Sequence, residues 1–195
     1  ELAQQAGIIV PEAEIMSVEG KYHTFLSKRF DREGAERIHF ASAMTMTGRF
    51  EGDKKEPPSY LELAEFIQYQ GADPDEDLEQ LWRRIVFNIA ISNTDDHMRN
   101  HGFVIRNGGW RLSPAYDMNP SIDKDGLALN IDFKSNALDY ELARSVGEYF
   151  NLGDNEMDAI IEEVLDAVSR WEEVAIKMGI PSAQRRLIEG AFNLN

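Results

Sequence analysis

The sequence predicts a mostly α-helical domain with one small β-hairpin, an α+β fold. Three observations carry that expectation. Two long stretches, 75–92 and 154–174, place apolar residues at helical spacing. Ser59, with Glu62 three residues later, makes a capping-box pattern directly before another apolar run. Strand-like runs flank Asn107-Gly108-Gly109, a strong hairpin signal.

The elements follow in chain order. "ELAQQAG" reads as the last turns of a helix stopped by Gly7. "EIMSVEGKYHTFLSKRF" reads as two extended segments joined at Glu19-Gly20. "DREGAERIHF" is polar and loop-like, "FASAMTMTG" a short helix ending at Gly48, and "FEGDKKEPPS" a charged loop. The helix "YLELAEFIQYQ" stops at Gly71. The next, over 75–92, carries Leu78, Leu81, Trp82, Ile85, Val86, Ile89 and Ala90, and its apolar C-terminal half marks a buried central helix. After the hairpin, "AYDMNPSIDKDG" is a loop and "LALNIDF" a short strand. Asp154 is placed as the cap of a long helix reaching Trp171 and Val174, and a last helix follows Pro181 and Ser182. Trp82 and Trp171 are expected in the core, and Trp110 beneath the polar loop over 93–100.

Composition narrows the function. The 195 residues are 43 % hydrophobic, enough for one core. A net charge of −15 disfavours direct contact with nucleic acid or an anionic membrane. No apolar run reaches the roughly 18 residues of a membrane span. The absence of cysteine excludes disulfides and thiolate metal sites and fits a reducing compartment. The chain opens as though mid-helix and without Met, and it reads as a fragment with sequence missing upstream.

The densest chemistry lies in "NTDDHMRN", residues 93–100, directly after the apolar helix. Asp95 and Asn100 form D-x-x-x-x-N, and Asp117 follows the hairpin in "YD". Protein kinases space a catalytic Asp and a metal-binding Asn this way, with a second metal-binding Asp beyond. Phosphoryl transfer needs one carboxylate to take the proton of the attacking hydroxyl, and oxygen ligands for Mg²⁺. The competing reading is that Asp95, Asp96 and Asn100 merely cap and turn the chain.

"NTDDHMRNHGFVIRNGGWRLSPAYDMNPS" resembles the catalytic segment of the HipA-like serine/threonine kinases, with N-x-D-x-H-x-x-N, a hairpin, and W-R-L-x-P-x-Y-D. "FLSKRFDR" resembles that family's hinge, and "LAQQAGIIVPEAEI" the helix and strand leading into it. The resemblance implies one kinase-like C-terminal lobe over 1–195, with lead-in helix, strands and hinge over 1–32 and the helical catalytic lobe over 33–195. It makes Asp95 the catalytic base and Asn100 and Asp117 the Mg²⁺ ligands. Lys28 and Phe30 bound the hinge that meets adenine, although the family often has Glu at the place of Lys28. His97 completes the ATP-site set. It offers two readings, metal or proton chemistry and a ring that fixes the catalytic loop, and the resemblance favours the second. Asp96 is expected to face solvent or cap the turn, and His23, His39 and His101 to be ordinary surface or loop residues.

The resemblance further implies a cytoplasmic bacterial toxin-type kinase using ATP and Mg²⁺. Its expected partners are a protein substrate, such as an aminoacyl-tRNA synthetase, and a DNA-binding helix-turn-helix antitoxin. No phosphate-covering Gly-rich loop or ATP-gripping Lys precedes the hinge, so the N-terminal lobe that carries them is expected outside this chain. Two alternatives remain at this point: a degenerate kinase-like interaction module, and a metal-dependent phosphohydrolase using Asp95, Asp96 and His97.

Overall fold

The chain has a computed structural model that describes residues 1–17, 22–50, 57–106, 108–123 and 125–194. The lead-in helix α1 (Leu2–Gln5) ends before Gly7. Strands β1 (Ala13–Ser17) and β2 (His23–Ser27) pair antiparallel, with Ile15 opposite Phe25. Their expected turn at Glu19-Gly20 lies outside the described residues. All ten residues of the two strands are exposed. An isolated two-stranded ribbon gains little from its own pairing.

The segment expected to be a loop makes a minimal hairpin of β3 (Arg32–Glu33) and β4 (Glu36–Arg37). "FASAMTMTG" divides between a strand and a helix, β5 (Phe40–Ser42) and α2 (Ala43–Met46). The strand is set by a neighbour distant in sequence, because Phe40, Ala41 and Ser42 pair with Val104, Phe103 and Gly102. Of the charged loop that follows, residues 51–56 lie outside the described set.

Helix α3 (Tyr60–Gln70) opens on the expected capping box. Ser59 Oγ accepts from the Leu61 N–H at 3.1 Å, and Glu62 Oε1 accepts from the Ser59 N–H at 3.1 Å. Helix α4 (Pro74–Ala90) begins with Pro at its first turn and places Asp75, Glu76 and Asp77 against the positive end of the helix dipole. It is the axis of the core. Leu78, Leu81, Trp82, Ile85, Ile89 and Ala90 have no exposed surface. The Trp82 indole donates to the Ala143 carbonyl at 3.0 Å. Lead-in residues clamp onto α4 as well. Gln80 donates to Gly7 O at 3.0 Å and accepts from the Ile9 N–H at 3.0 Å.

The hairpin of β6 (Gly102–Arg106) and β7 (Gly109–Leu112) forms as expected, with Arg106 opposite Gly109. Gly108 has φ +82°, a left-handed conformation that suits Gly; Asn107 lies outside the described residues. Gly102 is required for a different reason. A Cβ there would stand 2.3 Å from the Phe40 ring, so only Gly lets β5 approach β6. Asp77 at the start of α4 holds the hairpin from below. It accepts from Arg111 Nε at 3.0 Å and from the Leu112 N–H at 2.9 Å. Burial pushes its carboxyl above the usual range, and Arg111 pulls it back.

Several expectations fail in the C-terminal half. "LALNIDF" is not a strand. Leu127, Leu129 and Ile131 are buried, but so is Asn130 between them, and the backbone turns back on itself, with Leu127 N–H bonded to Asn136 O and Ile131 N–H to Ser135 O. Only Asn130 makes a bridge, to Ser59. After α5 (Tyr140–Ser145), the cap of α6 (Asp154–Ser169) is Gly153, whose N–H donates to Glu156 at 2.8 Å; Asp154 is inside the first turn. The long helix also breaks at Arg170, and α7 (Trp171–Lys177) follows as a separate piece before α8 (Ser182–Ile188). Trp171 consequently lies half-buried, stacked on Phe192 at 4.3 Å, rather than in the core. Trp110 packs against Phe66 and His39 at the far end of the hairpin, not beneath the polar loop over 93–100. No helix among the described residues is long and apolar enough to cross a membrane.

Because residues 81–90 of α4 are all buried, Ile85→Ala should lower stability by about 2–5 kcal/mol in urea unfolding, through lost transfer energy plus a cavity.

Candidate active site

The polar cluster begins where α4 can no longer continue. Ser92 adopts φ +49°, and the chain doubles back so that the Asn93 N–H reaches Asn88 O at 2.8 Å. Asn93 Nδ2 then donates to Asn88 Oδ1 at 3.1 Å. Ser92, Asn93 and Thr94 are all buried. From there the loop alternates: Asp95 is exposed, Asp96 buried, His97 half-buried and Met98 buried.

Asp95 thus stands in solvent at the mouth of a tightly held loop. Asn100, five residues on, donates from Nδ2 to the Asp95 carbonyl at 3.2 Å. The contact uses the amide nitrogen, the half of the side chain that a cation would not take. The Asn100 N–H closes a turn to His97 O at 2.8 Å.

Asp96 reverses its expected role. It is 3 % exposed, and its Oδ2 accepts three hydrogen bonds, from the Tyr60 hydroxyl, from Asn88 Nδ2 at 2.8 Å and from His101 Nε2 at 2.8 Å. Burial, with Asp96 beside it, pushes the Tyr60 phenol far above its ordinary range. His101, taken from sequence as an ordinary residue, is the histidine that braces the loop. His97 makes no such contact, and its buried Nδ1 has no partner among the described residues. The physical reason is phase. Side chains alternate out and in from 95 to 100, and the alternation ends just before β6, where Asn100 and His101 are both buried, so 96 and 101 meet beside Asn88 of α4 while 95 faces solvent. The trio Asp95, Asp96 and His97 therefore does not assemble as a hydrolase metal set. Among the described residues no group of three or more His, Asp or Glu side chains could hold a metal, Asp123, Asp125 and Asp132 included.

The second wall is the segment after the hairpin. The Tyr116 hydroxyl donates to Arg99 O at 2.8 Å, and its ring stacks on Phe30 at 5.9 Å. Phe30 also meets Phe40 edge-on at 5.6 Å. One tyrosine therefore joins the Phe30 segment, the 93–100 loop and the Asp117 segment. Asp117 itself is exposed, adopts φ +59° and accepts from Asn119 Nδ2 at 2.9 Å. Two of the three non-glycine residues with positive φ among those described, Ser92 and Asp117, lie at this site, where backbone strain tends to collect.

Lys28 stands apart from the others. Its Nζ pairs with Glu12 at 3.0 Å in solvent, and its N–H is taken by the Glu12 carbonyl at 2.8 Å. That amide is committed to the ribbon, so only the later hinge residues have backbone left for a base edge.

Beneath the site lies Arg84, which sequence reasoning passed over. It is 1 % exposed and donates from Nη2 to Ser113 O at 2.5 Å. Burial lowers its pKa to about 10, against the pull of Asp96, Asp77 and Tyr116. A signal for these residues did exist. Arg84 and Asn88 are polar, four apart, on one face of an apolar helix, and helical phase forces both inward where polar groups need partners.

Comparison with known proteins decides the family. Residues 1–171 match the family model described as the HipA-like C-terminal domain. The chain belongs to that family. It is 28 % identical over 128 residues to the "Putative kinase" of Haemophilus influenzae, covering 60 % of this chain and 37 % of that protein. It is 24 % identical over 196 residues to "Putative kinase Y4mE" of Sinorhizobium fredii, covering 95 % of this chain and 41 % of that one. The chain thus spans well under half the length of these relatives. Among solved structures, Shewanella oneidensis HipA, seen with HipB and its operator DNA, superposes with TM-score 0.78 at 20 % identity, over 97 % of this chain and 51 % of that one. The Helicobacter pylori proinflammatory kinase CtkA superposes with TM-score 0.55 at 11 % identity, over 92 % and 85 %. The shared fold is the HipA-like α+β lobe.

Tyr116 offers a measurable handle. Burial first, with Asp96 and Asp117 adding and Arg84 opposing, pushes its phenol from 10.0 up to about 12. The folded state holds this proton more tightly than the unfolded chain. The stability tied to it is complete below the ordinary tyrosine pKa and is lost as pH rises through about 12. Tyr116→Phe should cost about 0.5–1.5 kcal/mol at neutral pH through the lost hydrogen bond. It should also flatten the alkaline limb of a stability–pH curve measured by urea unfolding.

Proposed function

We propose that this HipA-like domain is the catalytic lobe of a toxin-type protein serine/threonine kinase that transfers the γ-phosphoryl group of ATP to a protein hydroxyl. One observation carries the reading. An exposed carboxylate, Asp95, is presented on a loop braced from below, and the Asn100 and Asp117 segments are tied to that same loop through Asn100 Nδ2 and the Tyr116 hydroxyl. A turn that served only to reverse the chain would need neither tie.

In this reading Asp95 orients the acceptor hydroxyl and takes its proton as the oxygen bonds to the γ-phosphorus. The bond from that phosphorus to the β–γ bridging oxygen breaks, and ADP leaves. Asn100 offers an amide oxygen and Asp117 a carboxylate, the hard oxygen donors that Mg²⁺ prefers. Bound there, the ion would neutralise phosphate charge. Phe30, half-buried between Phe40 and Tyr116, offers an aromatic surface at the hinge for the adenine ring. The alternation that exposes Asp95 and buries Asp96 supports one general base rather than a carboxylate pair.

The kinase names of the curated relatives support the reaction class, and the structural likeness to HipA supports the toxin type. HipA was solved with HipB and DNA, which supports an antitoxin partner for the protein that carries this domain. The acceptor in this reading is a protein hydroxyl, an aminoacyl-tRNA synthetase being the kind of substrate that the sequence resemblance implies. The Lys that grips the ATP phosphates is placed upstream of this lobe, and the exposed ribbon of β1 and β2 is the surface on which further strands would build.

Two outcomes test the reading. In the intact protein, Asp95→Ala and Asp117→Ala should each reduce phosphate transfer from radiolabelled ATP by about 100-fold or more. Full activity in both would refute the assignment. The 195-residue lobe alone should transfer phosphate weakly or not at all, and robust autophosphorylation by it would refute the placement of the phosphate-gripping Lys elsewhere.

A further inference from the structure

We infer that Asp96, outside the chemistry of the kinase motif, is the positioning residue that sets the geometry of the catalytic loop, acting through Tyr60, Asn88 and His101. The inference rests on the kinase reading for its effect on turnover and on the loop's own geometry for everything else.

Asp95 and Asp96 are the same side chain in opposite settings. One is exposed, and the other is 3 % exposed with three donors converging on a single oxygen. Those donors come from three separate elements. Tyr60 opens α3, Asn88 lies in the last turns of α4, and His101 immediately precedes β6. Asn88 binds the loop a second time, because its Oδ1 and its backbone carbonyl both accept from Asn93. The loop is therefore fastened to the core at its start (Asn93), its middle (Asp96) and its end (His101). Asp95 is bonded directly to the middle fastening, and Asn100 directly to the last.

A turn alone would not require this arrangement. Burying a carboxylate is costly unless its hydrogen bonds are satisfied, and an uncharged turn residue reverses a chain without that cost. What the buried anion adds is a fixed position. The phenol, the amide and the imidazole all point at one atom, which sets where the backbone of 95–97 can lie. Arg84 supplies a favourable positive field from below without a direct contact. Proton abstraction by Asp95 depends on that position to within a fraction of an ångström.

The test uses the intact protein and compares Asp96→Ala, Asp96→Asn and Tyr60→Phe with Asp95→Ala. Two readouts are taken, steady-state phosphate transfer from ATP and amide hydrogen exchange by mass spectrometry. Asp96→Ala should lose about 100-fold in kcat per folded molecule, the scale expected for a misplaced catalytic group, with KM for ATP unchanged. Asp96→Asn keeps an acceptor oxygen and should recover part of the loss. Exchange should quicken within 93–101 and stay the same elsewhere. A kcat per folded molecule equal to the parent's would overturn the inference, as would an activity loss that only tracks the folded fraction. Should Asp96→Ala not fold, Tyr60→Phe decides: a reduced kcat with faster exchange in 93–101 supports the role, and no change in either refutes it. An Asp95→Ala protein as active as the parent, or a parent that does not turn over ATP, defeats the kinase reading instead. The exchange pattern of Tyr60→Phe then decides Asp96 on its own, unchanged exchange in 93–101 counting against it.

Discussion

One oxygen atom organises the candidate catalytic face of this domain. Asp96 Oδ2 is buried at the end of the most buried helix, and a buried anion must be surrounded by donors. The donors set where their own elements can lie. Tyr60 must be the first residue of α3, which places the Ser59–Glu62 capping box above the loop. Asn88 must face the loop from α4, which aligns the whole helix, and with it the apolar residues spaced along the same face. His101 must precede β6 directly, which fixes where the hairpin starts.

A second, aromatic tie does for the far wall what Asp96 does for the near one. Tyr116 spans from the Phe30 ring to the Arg99 carbonyl, so the Phe30 segment and the 93–100 loop share a support. Its position is held in turn by the chain around it. Arg84 grips Ser113 O, and the Ala115 N–H donates to Ile9 O at 2.8 Å, which brings the lead-in segment into the same assembly. Asp117 follows with a positive φ, an arrangement that Asp tolerates better than bulky or β-branched residues do. The exposed carboxylates of the site thus stand on a base that is buried, hydrogen-bonded and continuous with the core. Such a base is what holding a reactive geometry requires.

Much of this was legible beforehand, and the failures have a common cause. Helices announced themselves because their period lies in adjacent residues, as with Leu78, Leu81, Trp82 and Ile85. Caps and turns did so for the same reason, as with Ser59–Glu62 and Gly108. Leu127, Leu129 and Ile131 are each buried as their spacing suggests, yet Asn130 is buried with them, the backbone hydrogen bonds go to 135 and 136, and no strand forms. The strand Phe40–Ser42 went unseen because its partner lies some sixty residues away and its fit depends on the missing Cβ of Gly102. Asp96 and His101 were undervalued, and His97 overvalued, because spacing says which residues are near in sequence and not which way each one points.

The sequence by itself therefore determined the class of the domain, its helices α3 and α4, its hairpin of β6 and β7, and the family to which it belongs. All of these rest on local periodicity and on contiguous motifs. It also singled out Asp95, Asn100 and Asp117, since their chemistry is inseparable from their spacing. Only the tertiary structure decided that Asp95 is exposed and Asp96 buried, that His101 rather than His97 braces the loop, and that Tyr116 ties the segments together. Whether an acidic side chain meets solvent or three buried donors depends on where distant elements lie. That follows from how α3, α4 and the hairpin pack, and no single stretch of chain contains it.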